Sequence, residues 1–230
     1  MNGLAVVVST SLLSGRQYLA DYASDVSGYS HVIEADGGFK EMVFSLNSEV
    51  VEIEDWIESG LGRHVEVFDD AHLVMWEGFV DKVSAVIGGR AIERGPLMDV
   101  ANRLSVVYSR VDTSVSPPVV GNRAQTAYAD NADSQAKYGI FYDVYSVSGS
   151  SDATALLIRD TLLADRAWPE TTESISGQGS TPMLTITCRG YLDYLKKFPY
   201  NDTVSTGEVD ASQKIEDVLA ADPNAIVSTD

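Results

Sequence analysis

Few residues of this chain carry reactive chemistry. Three histidines, His31, His64 and His72, supply imidazoles, and Cys188 supplies the single thiol. Two histidines facing each other across a β-hairpin would form a zinc pair. The pairing expected for RHVEVF (63–68) and LVMW (73–76) sets Phe68 against Leu73, which places His64 opposite Glu77 rather than His72. The three are therefore read as surface or turn histidines. Asp130, Asn131 and Asp133 in DNADSQ resemble a calcium loop but lack its glycine and terminal glutamate. Glu52, Glu54 and Glu58 offer the carboxylate pair of a glycosidase. With 34 acidic residues such pairs arise by chance, and these three fall on the polar side of an amphipathic helix. No GxSxG elbow, P-loop, dinucleotide-binding glycine pattern or HExxH is present. The sequence predicts no catalytic residue, no metal and no cofactor.

Bulk properties narrow the classes further. The chain has 230 residues, enough for one large domain or two small ones with an ample core. Its net charge is −18, without a Lys/Arg cluster, so its surface repels phosphate backbones and anionic lipid. Binding to nucleic acid or to a membrane is not expected. One cysteine excludes an internal disulfide and a multi-thiolate metal site, and the alternation of LTITCRGY places Cys188 in the core. LAVVV near the start is too short to span a membrane and follows no basic stretch, which argues against a signal peptide and predicts synthesis in the cytoplasm.

The elements read mainly as β. Residues 32–46 predict two strands around an Asp36-Gly37-Gly38 turn. SEVVEIEDWIESG carries Val50, Ile53 and Ile57 at helical spacing, with Asn47 or Ser48 as cap and Gly60 as stop. The hairpin that follows collects Val65, Val67, Val74 and Trp76 on its core face, with His64 and Glu66 on the wetter one. Beyond Gly78 the apolar alternation changes phase, as at a β-bulge, although a glycine beside a tryptophan also suits a ligand approaching the backbone. IGGRA predicts a tight turn, and ANRLSVVYSRV a strand with Leu104, Val106 and Tyr108 on one side. From Val115 to Asp133 no periodicity persists, and Pro117-Pro118 stiffens the start of a long loop suited to intersubunit contact. KYGIFYDVYSV predicts a strand alternating Tyr138, Ile140, Tyr142 and Val144. DATALLIRDTLLAD is a helix whose Ala155, Ile158 and Leu162 share a face, with Asp152 at its positive end and Trp168-Pro169 beyond its close. After the joint ISGQGSTP and LTITCRGY, Asp210 and Gln213 form a capping-box pair before a helix with Ala211, Ile215 and Val218 on one stripe. NAIV then opens a strand, as if the polypeptide continued or paired with another subunit. The tyrosines Tyr128, Tyr138, Tyr142, Tyr145, Tyr191, Tyr194 and Tyr200 suit core, interface or sugar stacking.

Three stretches in order, VMWEGFVDKV followed by GPLMDVANRLSVVYS, then SQAKYGIFYDVYSVSGSSDATALLIRDTLL, then LTITCRGYLDYL, resemble the tail hub family of bacteriophages. The likeness runs over roughly residues 30 to 200. It implies a mainly β protein of two tail-hub-type barrels with a few short helices: a first barrel with a covering helix over 1–115, a linking region over 116–180, and the start of an incomplete second barrel over 181–230. It implies a structural virion component, a homotrimer more than a hexamer, that closes the tail tube. Its neighbours would be the tube or a distal tail protein above and tip or receptor-binding proteins below. DNA would pass through without being bound, and an acidic lumen would favour that. Pro117, Pro118, Tyr128, Ser134 and Tyr138 are the expected subunit contacts. Val65, Val67, Val74, Trp76 and Gly78 are the expected core and bend of the first barrel. The alternative is a carbohydrate-binding or host-adhesion module with a groove of exposed aromatics, and a wall-digesting hydrolase is the third reading.

Overall fold

The computed structural model describes residues 5–11, 15–22, 24–35, 38–47, 50–112, 116, 118–175 and 182–195. Pro117, Tyr200, the expected helix at 210–218 and the NAIV strand lie outside the described residues, as does most of the ISGQGSTP joint. The elements divide into two compact units.

The first unit comprises the described residues up to Met98 and from Pro169 onward. Numbered along the chain, it holds β1 (Ala5–Ser9), β2 (Tyr18–Asp21), β3 (Val26–Glu34), β4 (Gly38–Leu46), α1 (Val50–Ser59), β5 (His64–Phe68), β6 (Val74–Ile87), β7 (Arg90–Arg94), β12 (Thr171–Ile175), β13 (Met183–Arg189) and α4 (Tyr191–Leu195). The second unit, Asp99–Trp168, holds β8 (Arg103–Asp112), β9 (Val119–Gln125), β10 (Ala129–Asp130), α2 (Ala132–Tyr138), β11 (Tyr142–Ser150) and α3 (Asp152–Arg166). The chain is mainly β.

In the first unit the strands run β2-β1-β5-β6-β13-β4-β3, with β7 on β6 and β12 on β7. Among the described residues the two ends of this path do not meet, so the sheet is open and the expected closed barrel is not formed. The expected division also changes. LTITCR, assigned to the start of a second barrel, is β13 and pairs antiparallel with β4 on one side and β6 on the other. Local periodicity identifies such a strand but says nothing about which distant strands will take its hydrogen bonds.

The core follows from alternation. Met42, Phe44 and Leu46 of β4 and Leu184, Ile186 and Cys188 of β13 are fully buried, joined by Ile53 and Trp56 of α1. Burial pushes the Cys188 thiol well up, so it behaves as a small hydrophobe. On β6 the buried phase runs Trp76, Gly78, Val80 and then Val83, Ala85. The phase change is a bulge at Asp81, between Val80 opposite Cys188 and Lys82 opposite Thr187, three residues past the expected position. The Asp81 carboxylate accepts the Met98 N–H at 2.8 Å.

Gly78 itself has a different reason. A Cβ there would stand 2.1 Å from the Arg189 carbonyl oxygen and 2.4 Å from Cη2 of Trp76. Neither a ligand nor a bulge occupies the space a side chain would take; the indole of Trp76 and the end of β13 do. Gly78→Ala is therefore expected to cost about 1–3 kcal/mol as an overpacking change in strand backbone that has no room to move. A urea-midpoint shift, with unchanged slope, is the measurement; no shift would show that the strands part freely here.

The β5–β6 register is displaced by two residues from the expected one. Val67 faces Trp76, Val65 faces Gly78 and Glu66 faces Glu77, with a bulge that sets Phe68 opposite Val74. Turn chemistry causes the displacement: the Asp69 carboxylate accepts N–H groups of both Ala71 and Leu73, while the Asp69 N–H donates to the Leu73 carbonyl. Val65, Val67 and Trp76 are fully buried, but Val74 is 44% exposed and leaves the core set.

In the second unit β8 is central, with β9 and β10 antiparallel to it and β11 parallel. Leu104, Val106 and Tyr108 pack against Ala155 of α3, with Ile158 and Leu162 half-buried beside them. Ser151 caps α3 by accepting the Thr154 N–H, and Asp152 accepts hydrogen bonds from Tyr108 and Arg110. The expected loop from Val115 to Asp133 contains β9 and β10. Both faces of β9 are mostly exposed, so no alternation marks it, and its hydrogen bonds to β8 alone define it. The expected strand at Tyr138 starts instead at Tyr142, because Asn131 caps α2 by accepting the Ser134 N–H and α2 runs through Tyr138.

Candidate functional site

The face of β5 read as wet is covered. His64 is fully buried and Glu66 nearly so. The cover comes from α4, whose Tyr191 stacks on the His64 ring at 5.7 Å with planes 17° apart, and from Arg16, whose guanidinium pairs with Glu66. A five-residue strand buried on both faces is what a sheet acquires when a helix closes on its second side, an event no local pattern records.

Three ligand-bearing side chains meet there. His64 and Glu66 lie two apart on β5 and so share a face, and the β5–β6 register brings Glu77 opposite Glu66. His64 Nε2 is 3.8 Å from Glu66 Oε2 and 3.7 Å from Glu77 Oε1. One ligand atom from each of the three lies within 4.8 Å of the others. His64 Nδ1 is 2.5 Å from the Tyr191 hydroxyl, while Nε2 is buried without a hydrogen-bond partner. Burial lowers the His64 pKa, against the pull of Glu66, and so favours the neutral ring. Burial raises Glu77, with Glu66 adding to the rise, and burial chiefly raises Tyr191. One imidazole nitrogen and two carboxylates are a donor set for a divalent cation.

The other sequence candidates are placed apart from this site. His72 is exposed in the β5–β6 turn, and His31 lies beside Tyr29 on β3. Glu52, Glu54 and Glu58 are exposed along α1. The calcium-like loop is a structural joint: Asp130 pairs with Arg103 and accepts from Gln135, and Asn131 is the α2 cap. Of the expected subunit contacts, Pro118 is exposed and Tyr128 is partly exposed beside Tyr142. Ser134 and Tyr138 are instead buried within their own unit, Ser134 donating to the Ala167 carbonyl and Tyr138 meeting the Trp168 ring edge-on. Both leave the contact set for that reason.

The sequence assigns Arg16 no role and leaves Tyr191 among tyrosines suited to core, interface or sugar stacking. Tyr191 and His64 are 127 positions apart, and nothing local joins them. A groove of about 390 Å³ lies between β6, β7, β12 and β13, lined by Ser84, Ile92, Glu93, Thr172, Met183 and Thr185 among others. It contains no aromatic ring on which a sugar would stack. No helix among the described residues is long and apolar enough to cross a membrane. Compared with known protein families, characterised proteins and solved structures, the chain matches none.

Proposed function

We propose that the protein is a non-enzymatic structural subunit of a bacteriophage tail tip or baseplate. In this reading it assembles as a homo-oligomer, a trimer before a hexamer, between the tail tube and the host-recognition proteins. The observation that carries the oligomeric part is the open edge of the first unit's sheet. β3 is nine residues long and pairs, among the described residues, with β4 alone. Along it Val32 and Ile33 are 48% and 54% exposed. A long unpaired edge carrying exposed apolar side chains is a template for another strand, and monomeric proteins blunt such edges with charge, proline or bulges. The β3–β4 pair has two register irregularities, yet β3 keeps its length. The placement in a phage tail rests on the order of the three sequence stretches, and the charge of −18 is compatible with a ring through which DNA passes without binding.

Light scattering across a dilution series tests the assembly. The expected mass is that of three chains, and Ile33→Lys, which puts a charge on the open edge, is expected to shift it towards one. A monomer at every concentration would overturn the ring reading. A glycan screen on that monomer would then test the adhesion module, which Tyr18, Tyr128, Tyr145 and Trp168 support as exposed aromatic rings.

A further inference from the structure

We propose that His64, Glu66 and Glu77 form a binding site for one divalent cation of the zinc class, with His64 Nε2 and one carboxylate oxygen from each glutamate as protein ligands. Three independent features lead there. The first is that Glu66 and Glu77 stand directly opposite each other on adjacent antiparallel strands. Like charges in that position destabilise a sheet unless something between them carries positive charge. Arg16 pairs with Glu66 and its charge reaches Glu77, but its side chain is 46% exposed and its direct ion pair is with Glu66, while His64 Nε2 is 3.7 Å from Glu77.

The second feature is His64 Nε2. It is fully buried, makes no hydrogen bond and points between the two carboxylates. A buried polar atom without a partner calls for an explanation, and a ligand is one. In the tautomer whose Nδ1–H donates to Tyr191 Oη, Nε2 presents its lone pair to the carboxylates. That arrangement is repulsive when the space is empty and attractive when it holds a cation. A metal-bound histidine ordinarily has its other ring nitrogen anchored in this way, and Tyr191 supplies the anchor by both hydrogen bond and ring stacking.

The third is size. Zinc–nitrogen and zinc–oxygen bonds of about 2.0–2.2 Å put tetrahedral ligands roughly 3.4 Å apart. The separations of 3.7 and 3.8 Å from Nε2 are within a few tenths of an ångström of that value, and the three ligand atoms together span no more than 4.8 Å, so closure asks a side-chain movement of about an ångström at most on the carboxylate side. Glu77 is the side chain that would move, since it is 38% exposed, and the same opening admits water as the fourth ligand. The chemistry selects the cation: an imidazole with two carboxylates suits zinc, cobalt or manganese. Magnesium prefers an all-oxygen octahedron with several waters, and a single rigid strand pair gives calcium too few oxygens.

The two glutamates and the histidine belong to β5 and β6, so a bound ion would pin the register of that hairpin. The test is calorimetric titration of the chelator-treated full chain with zinc chloride, with cobalt(II) absorption as a second readout. We expect one equivalent bound per chain and a cobalt spectrum characteristic of a nitrogen–oxygen site. Glu77→Gln, half-exposed and isosteric, should weaken binding by at least about 100-fold, beyond the loss that an outer partner's removal causes. Arg16→Gln should tighten binding, because it removes the cation already on Glu66. A mere structural ion pair would show no gain from that change. The absence of saturable zinc uptake by the unaltered chain, or uptake that Glu77→Gln leaves unchanged, would overturn the site.

Discussion

Replacing Trp76 by alanine is expected to cost about 3–5 kcal/mol, among the largest losses available to a single core substitution. The side chain is fully buried, faces Val67 across the β5–β6 pair, meets Phe39 at 6.2 Å and fills the space above Gly78. Removing the indole leaves a cavity that its neighbours cannot close, because they sit on paired strands. Trp76→Phe should cost less than half as much: the indole N–H is buried without a partner, so the shorter ring loses contacts but also removes an unsatisfied donor. Pairing Trp76→Ala with Gly78→Ala should not restore stability, because the Arg189 carbonyl still stands 2.1 Å from the new methyl. Urea denaturation gives the size of each loss, and amide exchange on β5, β6 and β13 assigns it to the first unit. A loss below about 1 kcal/mol for Trp76→Ala would mean that the pocket collapses and that the strands are not fixed by packing.

The second large effect belongs to the other unit. Asn102 is fully buried, and its side chain donates to Ser134 Oγ at 3.1 Å and to the Gly139 carbonyl at 2.7 Å while accepting the Phe141 N–H at 2.8 Å. Its carbonyl also accepts from the Asn131 N–H and from Gln135 Nε2, each at 2.9 Å. One residue thereby ties the start of β8 to α2 and to the segment entering β11. Asn102→Ala strands a buried carbonyl and a buried N–H, each worth roughly 1–3 kcal/mol, so a loss of about 3 kcal/mol is expected. Asn102→Asp should be no better, since an ionised carboxylate accepts from Phe141 but cannot donate to Gly139 and is itself buried. Exchange protection lost in β8 and β11 and retained in β4 and β13 would be the expected pattern. A change that reaches both units equally would mean that Asn102 does not act locally.

What the chain declares locally, the structure keeps. The mainly β class follows from period-two alternation in β4, β8 and β13. The amphipathic helices α1 and α3 follow from their 3.6-residue stripes, and the IGGRA turn becomes the two-residue link between Ile87 and Arg90. Where alternation was absent but hydrogen bonds were not, as in β9, the sequence offered a loop in place of a strand. Where an asparagine cap outweighed an aromatic alternation, it offered a strand beginning at Tyr138, where α2 is still running.

The candidate site divides along the same line. That His64 and Glu66 share a face was readable from their spacing of two. The expected register set Glu77 opposite His64; the turn whose Asp69 side chain shifts the pairing by two residues sets it opposite Glu66 instead, and a shift of two preserves faces while changing every partner. The burial that sets the histidine's environment comes from Tyr191, far along the chain, and from Arg16, far before it. By itself the sequence determined composition, the mainly β class and the type and buried face of its strongly periodic elements, because these depend on neighbours within a few residues. Only the tertiary structure decided register, sheet closure, the home of β13 and which polar groups are taken out of water, because each of these is settled by segments that meet only after the chain has folded.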